Sequence, residues 1–151
     1  MASHPQNSLT VRQEGDGVRA TTTRLNFLFP RSEAHAILDT YNRLISQAEG
    51  HFAPRWRSHP GVNIGPAGFH DIIQEVTLHW MYFRVINHLP IRIDQSDWDH
   101  PQTRRIIRAG VKRDPSLGSD ADTPLCAHLM GLSRAEYLDW CEADDAFLDM
   151  W

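Results

Sequence analysis

The chain has 151 residues, 41% of them hydrophobic and 23% charged, which suffices for one buried core and excludes disorder throughout. A formal net charge of −4 disfavours a general nucleic-acid coat, since phosphate binding draws on a net basic surface. No apolar run approaches the roughly 20 residues that span a bilayer; the densest, 76–86, is interrupted by His79 and Arg84.

The two cysteines, Cys126 and Cys141, form no Cys-x-x-Cys pair, and the start lacks a basic region followed by an apolar stretch. The expectation is a soluble, reduced, cytoplasmic protein with both cysteines as small core residues. Nine histidines are spread along the chain rather than clustered, a weak pattern for a metal.

Residues 1–8 read as a polar tail, and 9–151 as one globular domain with a helical subunit over 124–151. Glu14-Gly15-Asp16-Gly17 marks a turn between two β-prone runs, hence a hairpin. In the second run Leu25, Phe27 and Phe29 alternate with polar Arg24 and Asn26 until Pro30 ends it. Ser32 offers an N-cap, after which Ile37, Leu38, Tyr41, Leu44, Ile45 and Ala48 recur at helical spacing up to Gly50. Residues 51–68, with three prolines and three glycines, read as a long ordered loop. A second helix follows from Phe69 to about His88, apolar almost all the way round and so central. Pro90 stops it, "IRID" suggests a short strand, and a short helix is expected over Gln102–Val111.

The last unit is the most patterned. Pro124 suits a first helical turn, Gly131 a helix end, and Ser133 with Glu136 a Ser-x-x-Glu capping box. With Ala127 at the helix approach and Leu132, Tyr137 and Trp140 beyond the turn, about twenty residues resemble a helix-turn-helix unit. The resemblance implies DNA contact through the second helix, yet that helix carries Glu136, Asp139 and Glu142 beside Arg134, mostly acids that phosphates repel. A packed helical pair closing the core ranks first, protein docking second and DNA contact last.

Four sets of side chains are candidates for a site. Arg55, Trp56, Arg57 and His59, near a helix start, could bind a phosphate or carboxylate ligand. His70, Asp71, Glu75 and His79 form a polar stripe that could hold a divalent metal or serve as an oriented base, although a merely wet helix side ranks above this. Arg104, Arg105, Arg108, Lys112 and Arg113 make a basic run, read first as a solvated face, then as a partner for the acidic end, then as a nucleic-acid or acidic-protein patch. Trp140, Asp144, Asp145, Phe147 and Trp151 could dock a partner. Asp144 falls within an apolar stripe, so it must be paired, exposed or at a helix break.

The expected fold is α+β, mainly helical: an N-terminal hairpin, two long helices joined by an ordered loop, and a C-terminal helix pair. The leading function is a small accessory or regulatory protein acting through protein–protein contact. An enzyme or binder of an anionic small ligand, metal-dependent in one version, comes second, and nucleic-acid binding through 104–113 third. Oligomeric state is left open.

Overall fold

The computed structural model describes residues 9–22, 25–30, 37–57, 66–112 and 122–149. The architecture is α+β and mainly helical, a three-stranded antiparallel sheet followed by helices. The strands β1 (Thr10–Glu14), β2 (Gly17–Thr21) and β3 (Asn26–Phe29) run in the order β1-β2-β3. Gly15 turns the first hairpin at a φ of 59°, a conformation that suits glycine. Val11 then pairs with Ala20, and Ala20 with Phe27.

The second β-prone run is two strands rather than one. Thr22 N–H donates to the Leu25 carbonyl at 2.9 Å, and Leu25 N–H to Thr22 Oγ1 at 3.1 Å, reversing the chain between β2 and β3. The alternation read from the sequence survives on β3, where Phe29 is buried and Leu28 exposed.

Helix α1 spans Ile37–Arg57, and α2 spans Pro66–Ile86. The expected loop over 51–68 is therefore corrected: Gly50 does not end α1, and Pro54 lies inside it. An interior glycine costs about 1 kcal/mol and an interior proline about 3 kcal/mol. Opposing this, Phe52 continues the stripe of Tyr41, Leu44, Ile45 and Ala48 into the core, a burial that contributes roughly 1.5–3 kcal/mol. One turn on, Trp56 stacks on Phe69 of α2, ring centroids 4.5 Å apart and planes within 4°. Tertiary contacts thus carry the helix past its breakers. The α1–α2 connection, His59 included, lies outside the described residues, as does Ser32.

The "IRID" segment forms no strand. It leads into a 3-10 turn, Gln95–Asp99, where Asp97 Oδ2 accepts from Asp94 N–H at 2.8 Å. Helix α3 (Pro101–Lys112) starts with proline in its first turn, and His100 Nδ1 accepts Gln102 N–H at 3.0 Å as its cap.

Helices α4 (Asp122–Met130) and α5 (Arg134–Asp149) meet at the anticipated turn. Leu132 N–H reaches the Ala127 carbonyl at 2.9 Å and Gly131 N–H that of His128 at 3.1 Å, a Schellman motif with Gly131 at φ 71°. The capping box is complete: Ser133 N–H donates to Glu136 Oε1 at 2.9 Å, and Glu136 N–H to Ser133 Oγ at 3.1 Å. Those bonds hold the Glu136 carboxyl below its usual pKa.

A continuous core runs from Ala20 and Phe29 of the sheet through α1, α2 and α3 to Leu125, Leu129 and Tyr137. Among the described residues, no helix is long and apolar enough to cross a membrane.

Candidate functional site

Helix α2 is apolar nearly all round, and β3, α1 and α3 all pack against it. Its last turns outrun that cover. Phe83 is 47% exposed and Ile86 49% exposed, and Leu89, just beyond the helix, is 42% exposed. Leu89 is presented there by a second Schellman turn, in which its N–H reaches the Arg84 carbonyl at 2.9 Å and His88 N–H that of Val85 at 3.1 Å. The residue at the left-handed position is His88, with φ 57°, where glycine would be unstrained.

These three side chains rim a cavity of about 600 Å3 between the end of α2, the 95–99 turn and the start of α3. Buried Trp80 forms one wall, edge-on to Phe83 at 5.6 Å and to His100 at 5.3 Å. Its indole N–H donates to Thr103 Oγ1 at 2.7 Å, and the Thr103 hydroxyl donates to the Asp97 carbonyl at 2.5 Å. A polar feature interrupts the apolar lining where Arg84 Nη2 meets Asp97 Oδ2 at 3.3 Å. Such a groove can bury an apolar side chain while a matched ion pair offers one donor and one acceptor.

On the other side of the 95–99 turn lies a second cavity, of about 610 Å3, lined by His51, Arg55 and Trp98. Arg55 Nη1 donates to Asp99 Oδ1 at 3.1 Å and to the Leu129 carbonyl at 2.9 Å, fastening α1 to the turn and to the end of α4. The approach is close: a Cβ at Gly131 would lie 3.0 Å from the Arg55 guanidinium carbon. His51 Nε2 stands 3.7 Å from Asp99 Oδ1. Burial, reinforced by the charge of Arg55, pushes the His51 pKa below its ordinary value against the pull of Asp99.

Of the expected anion-binding set, His59 lies outside the described residues, and the other three take separate places. Arg55 faces the 95–99 turn, Trp56 stacks on α2, and Arg57 is exposed at the end of α1. Of the metal candidates, His70 and Glu75 are buried, and His79 lies edge-on to Phe27 at 5.2 Å. Asp71 is half-buried, and among the described residues no three His, Cys, Asp or Glu side chains gather as a metal site.

The basic run and the acidic terminus meet each other. Arg105 Nη2 lies 2.7 Å from Asp144 Oδ1 and its Nε donates to the same oxygen at 2.8 Å, while Arg108 Nη1 pairs with Asp145 Oδ1 at 3.0 Å. Arg104 lies within electrostatic reach of Glu136, and Lys112 of Asp145. Asp144 is thus buried and paired, one of the three outcomes its place in the stripe allowed. Trp140 stacks on Tyr137 at 6.4 Å. Arg113, the Phe147 side chain and Trp151 lie outside the described residues.

The groove beside Phe83 is absent from the candidates read in the sequence. Its signal was the apolar character of α2 persisting on every side through Phe83 and Ile86 to the last turn, more surface than one core can cover. No family model, no curated protein and no solved structure matches the chain.

Proposed function

We propose that the chain is a small accessory or regulatory protein that acts through protein–protein contact, seating an apolar side chain of its partner in the groove beside Phe83, Ile86 and Leu89. The observation that carries this reading is the placement of these three half-exposed side chains around one cavity. Single exposed hydrophobics are ordinary, whereas a group of them around a concave wall of aromatic residues has the form of an interface hot spot. The docking role first assigned to the acidic end moves accordingly, since Asp144 and Asp145 are engaged with α3. The same ion pairs weaken the nucleic-acid reading of the basic run, because phosphates would compete with carboxylates already in place.

The test compares capture of cross-linked partners from the native source by the wild-type chain and by a Phe83→Ser, Leu89→Ser double variant. Both positions are exposed, so the double variant should melt like wild type. Loss of a hot-spot anchor worth about 2 kcal/mol lowers affinity roughly thirtyfold, so the specific partner should vanish from the variant's capture. A partner held equally by both chains overturns the reading.

A small-ligand binder is the second reading, favoured by a cavity of about 600 Å3, within the roughly 300–1,000 Å3 of ligand pockets. A thermal-shift series with neutral aromatic compounds, phosphorylated metabolites and divalent ions separates the two readings, since a ligand specific to the native state must raise the midpoint.

A further inference from the structure

Along α2 the lining of the groove changes character. His79, Trp80, Tyr82 and Phe83 bring four ring systems to it and His100 a fifth, whereas Ile86 in the last turn and Leu89 just beyond are aliphatic. Phe83 and His100 both stand at right angles to the Trp80 ring, at 89° and 88°, so the aromatic end is a corner of rings in two perpendicular planes rather than a stack. Aliphatic side chains would close the same space, but ring faces add a negative quadrupole that draws a cation. The fixed charges in the lining are Arg84 and Asp97, which cancel, the guanidinium being matched by the carboxylate 3.3 Å away. Asp97 accepts from Arg84 Nη2 and from Asp94 N–H through the same oxygen, Oδ2, so its Oδ1 has no hydrogen bond among the described residues.

We propose, resting on the docking role already given to this groove, that the partner side chain seated in it is a trimethylated lysine. Its trimethylammonium head would lie against Trp80, Phe83 and His100 beside Asp97, and its four-carbon stem along Ile86 and Leu89, where the cover of α2 ends. Methylation keeps the charge while removing the N–H donors. An unmodified ammonium is strongly hydrated and brings three donors that ring faces cannot satisfy, so it pays more to leave water. A carboxylate or phosphate would meet Arg84, but also the Asp97 carboxylate beside it and the negative faces of the rings. A plain aliphatic side chain would use the Ile86 and Leu89 end and leave the ring corner and Asp97 Oδ1 without a charge to match.

The test titrates the full chain with three short peptides that differ at one position, carrying trimethyllysine, lysine, or the uncharged carbon analogue that ends in a tert-butyl group. Calorimetry gives the dissociation constants, and the Trp80 indole N–H resonance reports occupation of the groove. The trimethyllysine peptide should bind about tenfold more tightly than either of the others and move the Trp80 resonance. Phe83→Leu keeps an apolar side chain at an exposed position but removes the ring, so the advantage over the carbon analogue should shrink towards one while the analogue itself binds as before. A carbon analogue that binds wild type as tightly as trimethyllysine overturns the proposal and leaves the groove as an apolar docking site. Absence of any Trp80 response at millimolar peptide overturns it as well, whereas the docking reading falls only if the Phe83→Ser, Leu89→Ser chain still captures the partner. A trimethyllysine preference that persists undiminished in Phe83→Leu places the cation elsewhere and also refutes the proposal.

Discussion

Thr103 is fully buried and uses one hydroxyl twice, accepting from Trp80 and donating to the Asp97 carbonyl. Valine has the same shape without the oxygen, so Thr103→Val leaves a buried indole N–H without its partner and removes one of two bonds to the Asp97 carbonyl, which keeps the His100 N–H at 3.2 Å. An unpaired buried donor costs about 1–3 kcal/mol, and the substitution should destabilise the fold by roughly that amount in chemical denaturation, with Thr103→Ser much milder. Because both groups frame the groove, Thr103→Val should also loosen the 95–99 turn, measurable as faster amide exchange there. His88 presents the opposite case. Its φ of 57° is strained for a side chain with a Cβ, so His88→Gly should stabilise by about 0.5–1 kcal/mol. A gain in the melt accompanied by weaker partner capture would indicate that the rigid turn serves Leu89; a loss of stability would refute the strain argument.

The helices α3 and α5 are held by pairs of unequal weight. Asp144 is 7% exposed, so Asp144→Ala opens a hole in the seam and takes the carboxylate from Arg105, which keeps its bond to Gln102 Oε1 at 3.2 Å. Breaking a buried pair costs about 3–5 kcal/mol, and the 30% exposure of the Arg105 side chain places this one near the lower end or beneath it. Asp145 sits in solvent, and Asp145→Ala should barely shift a denaturation curve, less still in high salt. Equal effects from the two substitutions would contradict this ranking. Local chemistry made these elements readable: Gly131, Ser133 and Glu136 specify a turn and cap through bonds among neighbours in sequence, and Asp144 announced its need of a partner by interrupting an apolar stripe. The 51–57 segment was not readable in the same way. Gly50 and Pro54 argue correctly for a break on local grounds, and what overrides them is Phe52 in the core and Trp56 on Phe69, contacts made across the fold. The groove was hidden for the same reason, since periodicity marks α2 as apolar but not where its neighbours stop covering it.

At the scale of the molecule, the 95–99 turn stands between the two cavities, with Asp97 on one and Trp98 on the other, and Arg55 ties it to α1 and α4. His51 is the titratable group at this junction whose ordinary pKa lies nearest physiological pH and whose folded value is shifted. Burial lowers that value below 6.5, so as pH falls the unfolded chain takes up the proton before the folded one does. Stability contributed by neutral His51 is therefore complete above pH 6.5, begins to fall below it, and is lost once the folded imidazole itself is protonated. Glu136 and Asp145 are also lowered, Glu136 by its bonds to Ser133 and Asp145 by Arg108, so their contribution holds above the ordinary carboxylate range and disappears as pH falls through their folded values. The melting midpoint should decline in two stages on acidification, the first assigned to His51 and the second to the carboxylates. In His51→Gln, which keeps a polar side chain but cannot titrate, the first stage should vanish and the second remain. A first stage that persists in His51→Gln would place the responsible proton elsewhere. Because Asp99 and Arg55 face His51 within one junction, protonation should also loosen the turn, so partner capture through the groove should weaken over the same pH interval in wild type but not in His51→Gln.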